Sequence, residues 1–391
     1  MKITRHVAVR TAQGGFSLVE LLIAVALGLA VLIGLSSVYV AVKQSFRFQE
    51  TSGRLQEDAA FALDSISKDL RMAGYAGCPG INKITVGAVT TYFPGSVMTT
   101  GSPGGINGPN PLASIETTVA EVTQQPFTGF NFVRGFDNVP SGMFASGAAP
   151  ASSGTDSLFF AGGSINAVSL SVLMANTSDS LKIAADTYGW RNATANSGVY
   201  DFIISNCSSS SIFKGKVATS GGVTTIDHST SMGNSAGTFT SSTIFNTDAV
   251  VMPAEWNFYY VATRAGADTP SLYRVFYNGN ARQAPEELVS NVESMQLHYG
   301  ENTTLDALGA PTLTVDAWRT TAAAVTDWSR VVAVRIGLMM ISSEDNVNPG
   351  VTQATPTLLG QTYTVPAGAS TNRLRKEFST TVVLRNRVAA R

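Results

Sequence analysis

Few residues in this chain have the types and spacing to do chemistry, and the most telling group lies near its start. Gly14-Gly15 is a pair of small residues, the kind of sequence a peptidase can enter. Glu20 is a lone carboxylate that follows Phe16 by four positions and stands at the mouth of an apolar run. A cut after Gly15 would leave the amine of Phe16 as a new N-terminus close to that carboxylate, and an ammonium and a carboxylate can pair. The chain has two cysteines, Cys78 and Cys207, and three histidines, His6, His228 and His298. The histidines are widely separated, and neither they nor the cysteines fall into a metal-binding spacing such as His-Glu-x-x-His or Cys-x-x-Cys. No phosphate-binding loop and no Gly-x-Ser-x-Gly elbow is present. Gly101-Ser102-Pro103-Gly104-Gly105 is rich in glycine, but Pro103 interrupts it and it reads as a loop. These absences argue against an enzyme, and the chain implies no metal and no cofactor.

The element that positions Glu20 is a long helix. Leu21 to Val42 is 22 residues without a charge; at ~1.5 Å per residue it spans ~33 Å, enough for a bilayer core of ~30 Å. Lys2, Arg5 and Arg10 form a short basic leader ahead of it. A secretory signal has that order too, but its apolar segment is shorter and its small-residue site follows the segment. Here Gly14-Gly15 precedes it, so cleavage would discard the leader and keep the helix. Beyond the span, Leu55, Ala59, Ala62, Leu63, Ile66, Leu70 and Ala73 recur at three- and four-residue steps, an amphipathic stripe. Gly53 marks an expected bend, and Gly74 an expected C-terminal cap. The charge count around the span, three basic residues on each side, does not set its orientation.

At Gly15-Phe16-Ser17-Leu18-Val19-Glu20 the chain resembles the type IV pilins and pseudopilins, whose signal combines a glycine, usually a phenylalanine, a glutamate five residues into the mature chain and an apolar helix. The resemblance implies that a prepilin peptidase cleaves after Gly15 and methylates the amine of Phe16. It also implies that Glu20 makes a subunit-register contact with the Phe16 ammonium of a neighbouring subunit. Taken alone, Glu20 has a second reading, a carboxylate that reaches the membrane interface and pairs with nothing. Major pilins usually carry a proline in the membrane half of the helix, and this run has none.

Further matches narrow the resemblance. Ala73-Gly74-Tyr75-Ala76-Gly77-Cys78, Ser271-Leu272-Tyr273-Arg274, the segment from Glu293 to Gly300 and the closing stretch from Thr380 to Arg387 look like the PilW type of minor pilin, which is similar to the J-type minor pseudopilin of type II secretion. The expected fold is therefore α+β and pilin-like: a long N-terminal helix, one half for the membrane and one amphipathic, packed on an antiparallel β-rich head with long loops. The expected division is a cleaved leader over 1–15, a helix over 16–74 with its membrane part at about 21–42, and a periplasmic or extracellular head over 75–391. Lys and Arg number 26 against 27 Asp and Glu, so no global charge attracts nucleic acid. In an oxidising periplasm, Cys78 and Cys207 are a candidate disulfide pinning the helix end to the sheet, the alternative being two unpaired buried thiols.

Within the head the alternation of apolar residues predicts strands at 157–161, 168–173, 201–207, 256–262, 271–277, 287–299, 331–340 and 378–387. The strands at 256–262 and 271–277 should pair as a hairpin. Residues 99–153 read as loops with room for a few short strands, and 208–247, rich in Ser and Thr, as exposed strands or loops. The resemblance implies a protein of the inner membrane, single pass with its head in the periplasm, later part of an extracellular pilus tip. Its implied partners are other minor pilins, the major pilin, the prepilin peptidase, the inner-membrane assembly platform and a large tip adhesin. Two other roles remain open on the sequence: the J-type pseudopilin of a secretion system, and a tip adhesin subunit that itself holds a surface ligand.

Overall fold

The computed structural model describes residues 17–75, 77, 82–86, 89–93, 133–138, 152, 154–206, 210–234, 238–239, 244–281, 283–304, 314–347 and 355–387. Its helix α1 runs unbroken from Leu18 to Arg71, 54 residues and ~81 Å at ~1.5 Å per residue. It remains α-helical through Gly28, Gly34 and the expected bend at Gly53. Met72 closes it in right-handed geometry, and Gly74, at φ +76°, turns the chain away. That left-handed conformation suits glycine because no Cβ is there to clash.

The head is antiparallel throughout. A hairpin of β1 (Asn82–Val86) and β2 (Val89–Phe93) stands by itself. A ten-stranded sheet follows: β3 (Val133–Phe136), β4 (Ser157–Gly163), β5 (Val168–Ser169), β6 (Leu181–Ile183), β7 (Val199–Ser205), β8 (Ser210–Ser220), β9 (Val223–Asp227), β10 (Val250–Ala262), β11 (Ser271–Tyr277) and β12 (Glu286–Ser290). A four-stranded sheet contains β13 (Val292–Glu301), β14 (Ala317–Arg319), β15 (Val331–Asp345) and β18 (Arg373–Val383), in the order β14-β13-β15-β18. The small hairpin β16 (Thr357–Leu358) and β17 (Gln361–Thr362) lies between its last two strands in sequence.

β10 organises the large sheet by changing partners along its length. Val250–Pro253 pairs with β7, while Ala254–Tyr259 pairs with β4 and Trp256–Ala262 with β11. The change falls at Pro253, which has no N–H to give to a ladder. It separates two cores. In one, Leu55, Ala59, Ala62, Ile66 and Leu70 of α1 pack with Phe160, Tyr259, Leu272, Val292, Leu297, Ile336 and Val382 of both sheets. The other has no residue of α1: Leu181, Trp190, Phe202, Phe213, Phe239, Phe245 and Val251 close on one another in what we call the second lobe.

Several strands differ from expectation. The run at 287–299 is two strands in two sheets, divided at Asn291, whose φ of +63° is a left-handed corner that Asn adopts more readily than most residues. The strand expected at 168–173 is only Val168–Ser169. The last strand starts five residues early, at Arg373, and gives way to a 3-10 turn at Arg385–Arg387. The Ser/Thr-rich stretch expected as exposed strands or loops contains β8 and β9, but it is not all exposed: Phe213, Val217, Ile226, Phe239 and Phe245 fill the second core. Sparse apolar residues at alternate positions suffice when each faces the same interior. The Gly-rich 101–105 segment lies outside the described residues.

Candidate assembly interface

The site is the front half of α1. Ser17 is its extended N-cap, and the Leu21 N–H donates to the Ser17 carbonyl at 3.1 Å. Glu20 falls in the first turn, where unpaired backbone N–H groups leave partial positive charge that favours a carboxylate. Glu20 is exposed. So are the large apolar residues behind it: from Leu18 to Val42 their exposures run from 47% to 74%. Cβ atoms at Gly28 and Gly34 would have nothing within 4 Å. No part of the described head covers this half. By length and composition it is a candidate membrane span with a mean hydropathy of 2.7, and an apolar surface of this size needs lipid or other helices around it.

The rear half is packed into the head, and the helix runs unbroken from one half to the other. Burial starts at Leu55 and repeats through Ala59, Ala62, Ile66 and Leu70. Asp69 anchors the rod to β10 and β11, accepting the Tyr259 hydroxyl at 2.7 Å and an Arg274 N–H at 3.2 Å. Arg274 also donates to Glu286 of β12 at 2.8 Å. Burial and the nearby Asp69 charge raise the Tyr259 hydroxyl above its ordinary pKa, so it stays a donor. At the helix end, the Asn386 amide donates to the carbonyls of Arg71 and Ala73, each at 3.2 Å, satisfying groups that a helix C-terminus leaves open. The chain beyond is stitched to β4: Gly74 N–H donates to Ala161 O at 2.8 Å and Gly163 N–H to Tyr75 O at 2.6 Å. The approach is so close that a Cβ on Gly162 would stand 2.8 Å from the Met72 carbonyl.

Where the rod leaves the head, a groove of about 580 Å³ opens between α1 and the β12–β13 and β15 ends. Arg47 crosses it to Glu344 at 2.7 Å. Both side chains are exposed, so the pair contributes little to stability but marks where helix and head part.

Of the residues singled out in the sequence, Glu20 lies in the first turn of α1. Gly15, Phe16, Cys78 and Cys207 lie outside the described residues, as does His6. The neighbours of the two cysteines do meet: a Cβ on Gly77 would stand 3.0 Å from the Ser205 Cβ. His228 is a core residue, its Nε2 2.7 Å from the Asp179 carbonyl and its ring 4.5 Å from Phe239. His298 is largely buried beside Arg335, and burial with that positive charge holds it below the ordinary histidine value. Among the described residues no three His, Cys, Asp or Glu side chains gather as a metal site. Asp69 and Asn386 went unnoticed in the sequence: Asp69 reads there as one more charge on a solvated face, and Asn386 stands between two arginines that draw the eye.

Residues 258–386 match the family of type IV pilus-assembly protein W, and residues 10–36 match the prokaryotic N-terminal methylation motif. No curated protein matches the chain. Among solved structures, a type IV-like pilin from Thermus thermophilus is similar over 49% of this chain and 84% of its own, at 16% identity and a TM-score of 0.19; at that score the likeness carries no argument. The two family matches fall on the parts that make the rod and its socket, the apolar helix start and the strands from the middle of β10 to the end of β18. A family of this kind builds structures and does not catalyse reactions. The methylation motif, the helix and the matched head strands make the chain similar to the type IV pilins of the PilW type.

Proposed function

We propose that this chain is a minor pilin that primes pilus assembly and ends in a tip complex with other minor pilins. The observation that carries this reading is the rod itself: an apolar half with nothing of the described head around it and one carboxylate in its first turn, continuous with a half locked in the head. In the inner membrane the apolar half sits in lipid, about 21–42, with the head over 75–391 in the periplasm. The prepilin peptidase removes residues 1–15 and methylates Phe16. When subunits join, Glu20 meets the Phe16 ammonium of a neighbour. A carboxylate at the bilayer edge costs a few kcal/mol unless paired, so only the register that pairs it is favoured. The large head sits on the rod as a cap, with the major pilin below it and a tip adhesin as a further partner.

The test is a pilus count by electron microscopy in a strain lacking the protein, with retraction also disabled. Pili should largely vanish. Normal pili with impaired export of a folded substrate would replace the reading with a secretion pseudopilus. A second arm is Glu20→Val: the variant should be cleaved and folded yet co-purify poorly with the other minor pilins, and undiminished co-purification would sink the register argument.

A further inference from the structure

We infer that the second lobe carries a saccharide-binding site, built on Tyr188 and Arg191, with a preference for acidic sugars. Trp190 is buried as a plug of the lobe core, and Tyr188 stacks on it, centroids 5.6 Å apart and planes 29° apart. Tyr188 is nonetheless 45% exposed. With Trp190 stacked against it and nearly half of its surface exposed, Tyr188 offers apolar ring surface to solvent on a rigid backing. Tyr200, half-buried, flanks the same indole at 6.4 Å.

The loop bearing this platform is fixed. Asp186 accepts the N–H groups of Trp190 at 2.7 Å and Arg191 at 3.0 Å, the first turn of a 3-10 helix over Trp190–Asn192. Its side chain is 2% exposed, so its charge is spent inside. It holds the Arg191 guanidinium at 3.9 Å, while that side chain remains 52% exposed and also reaches the Thr219 hydroxyl at 3.4 Å. Beside it the turn Ala195–Gly198 runs through three consecutive left-handed residues, Asn196, Ser197 and Gly198. Left-handed backbone at two residues other than glycine is strain that the surroundings must hold. The Asn280 amide holds it, donating to Ala195 O at 2.9 Å and Val199 O at 2.7 Å. The turn keeps Asn196 and Ser197 at the surface, and Lys216 is exposed on β8 opposite Val199.

A sugar ring has an apolar face of C–H groups and a rim of hydroxyls. The exposed ring surface of Tyr188 suits the first, and Arg191, Asn192, Asn196 and Ser197 suit the second. Two exposed cations, Arg191 and Lys216, with Asp186 turned inward, favour a ring that bears a carboxylate, which a guanidinium receives in two parallel hydrogen bonds. The core of this lobe contains no residue of α1. The inference does not depend on the role in priming.

The experiment is saturation-transfer NMR on the detergent-solubilised full chain with glucuronate, galacturonate and glucose as probes. Transfer to a uronate is expected, stronger than to glucose. Arg191→Gln, a change at an exposed side chain, should weaken uronate binding at least tenfold and remove the preference over glucose. Tyr188→Ala should lose transfer to all three probes, and Tyr188→Phe should retain it. Absence of transfer from every probe overturns the proposal, as does unchanged uronate binding in both Arg191→Gln and Tyr188→Ala.

Discussion

Two buried acidic residues in the head show how partners decide a charge. The Tyr277 hydroxyl lies 2.5 Å from Asp201 Oδ2 and 3.0 Å from the Gly279 carbonyl. One phenol hydrogen cannot serve both acceptors. The Tyr277 hydroxyl donates to the nearer, Asp201 Oδ2. Asp201 Oδ1 is buried without a partner, which a neutral acid tolerates far better than a carboxylate. Burial pushes the Asp201 carboxyl up to about 7, against the opposing pull of Tyr277 and of Lys214 on β8. Between about 4 and about 7 the native state thus binds a proton that the unfolded chain has lost. Stability from this group is full below that window, falls as pH rises through it and is absent above, a loss of up to about 4 kcal/mol. Asp201→Asn should flatten that fall and exceed the wild type in unfolding midpoint at pH 8; identical pH profiles by thermal denaturation would refute the assignment. Glu293 is the opposite case. Arg375 meets it with two hydrogen bonds of 2.7 Å, and the Tyr363 hydroxyl donates at 3.1 Å. Arg375→Met strands a buried charge and should cost about 3–5 kcal/mol in chemical denaturation, with Glu293→Gln in the same chain restoring part of it.

At the scale of elements, α1 holds the head by one face. Ile66 is fully buried, whereas Phe61, five residues earlier, is 59% exposed. Ile66→Ala should therefore cost about 2–5 kcal/mol, and Phe61→Ser within about 0.5 kcal/mol of nothing; comparable losses would mean that the helix docks through a different face. That face was legible in the sequence, because the spacing from Leu55 to Leu70 repeats the period of a helix. Glu20 and the apolar run were legible for the same reason, pattern fixed by a membrane and by helix geometry. The hairpin of β10 and β11 was legible from two dense aromatic runs around a turn. The partner exchange along β10 was not: it depends on which strands, distant in sequence, arrive at Pro253, and no local pattern encodes that arrival. The division at Asn291 escaped because apolar residues continue on both sides of it and only the backbone turns. The second lobe escaped because its core is a handful of aromatic residues scattered through Ser and Thr. Tyr188, Trp190 and Arg191 drew no notice in the sequence, since a stacking pair becomes a platform only when a core supports it.

As a whole the described molecule is a rod set in a head whose two largest cores are the one that α1 shares with both sheets and the one inside the second lobe. The helix end is the critical joint, for the chain passes there from α1 to the edge of β4. Asn386 caps it from the far terminus of the described chain, and Gly163 and Tyr75 bond across it. We propose that a Cys78–Cys207 disulfide completes the joint, because the described neighbours Gly77 and Ser205 already stand side by side. Cys78 follows Gly77 directly, and Cys207 lies two residues after Ser205. A bridge between them would tie the helix end to β7, the strand that shares β10 with the first lobe and carries the second. Closing a loop this long removes about 5 kcal/mol of unfolded-state entropy in the chain model, less any strain. Protein purified from an oxidising compartment and denatured without reductant should take up no thiol-alkylating reagent, and two equivalents after reduction. Reduction should also lower the unfolding midpoint by several degrees, an effect that Cys78→Ser with Cys207→Ser should reproduce without reductant. Two thiols titrating in the unreduced chain would leave the joint to the hydrogen bonds of Asn386, Gly74 and Gly163 alone.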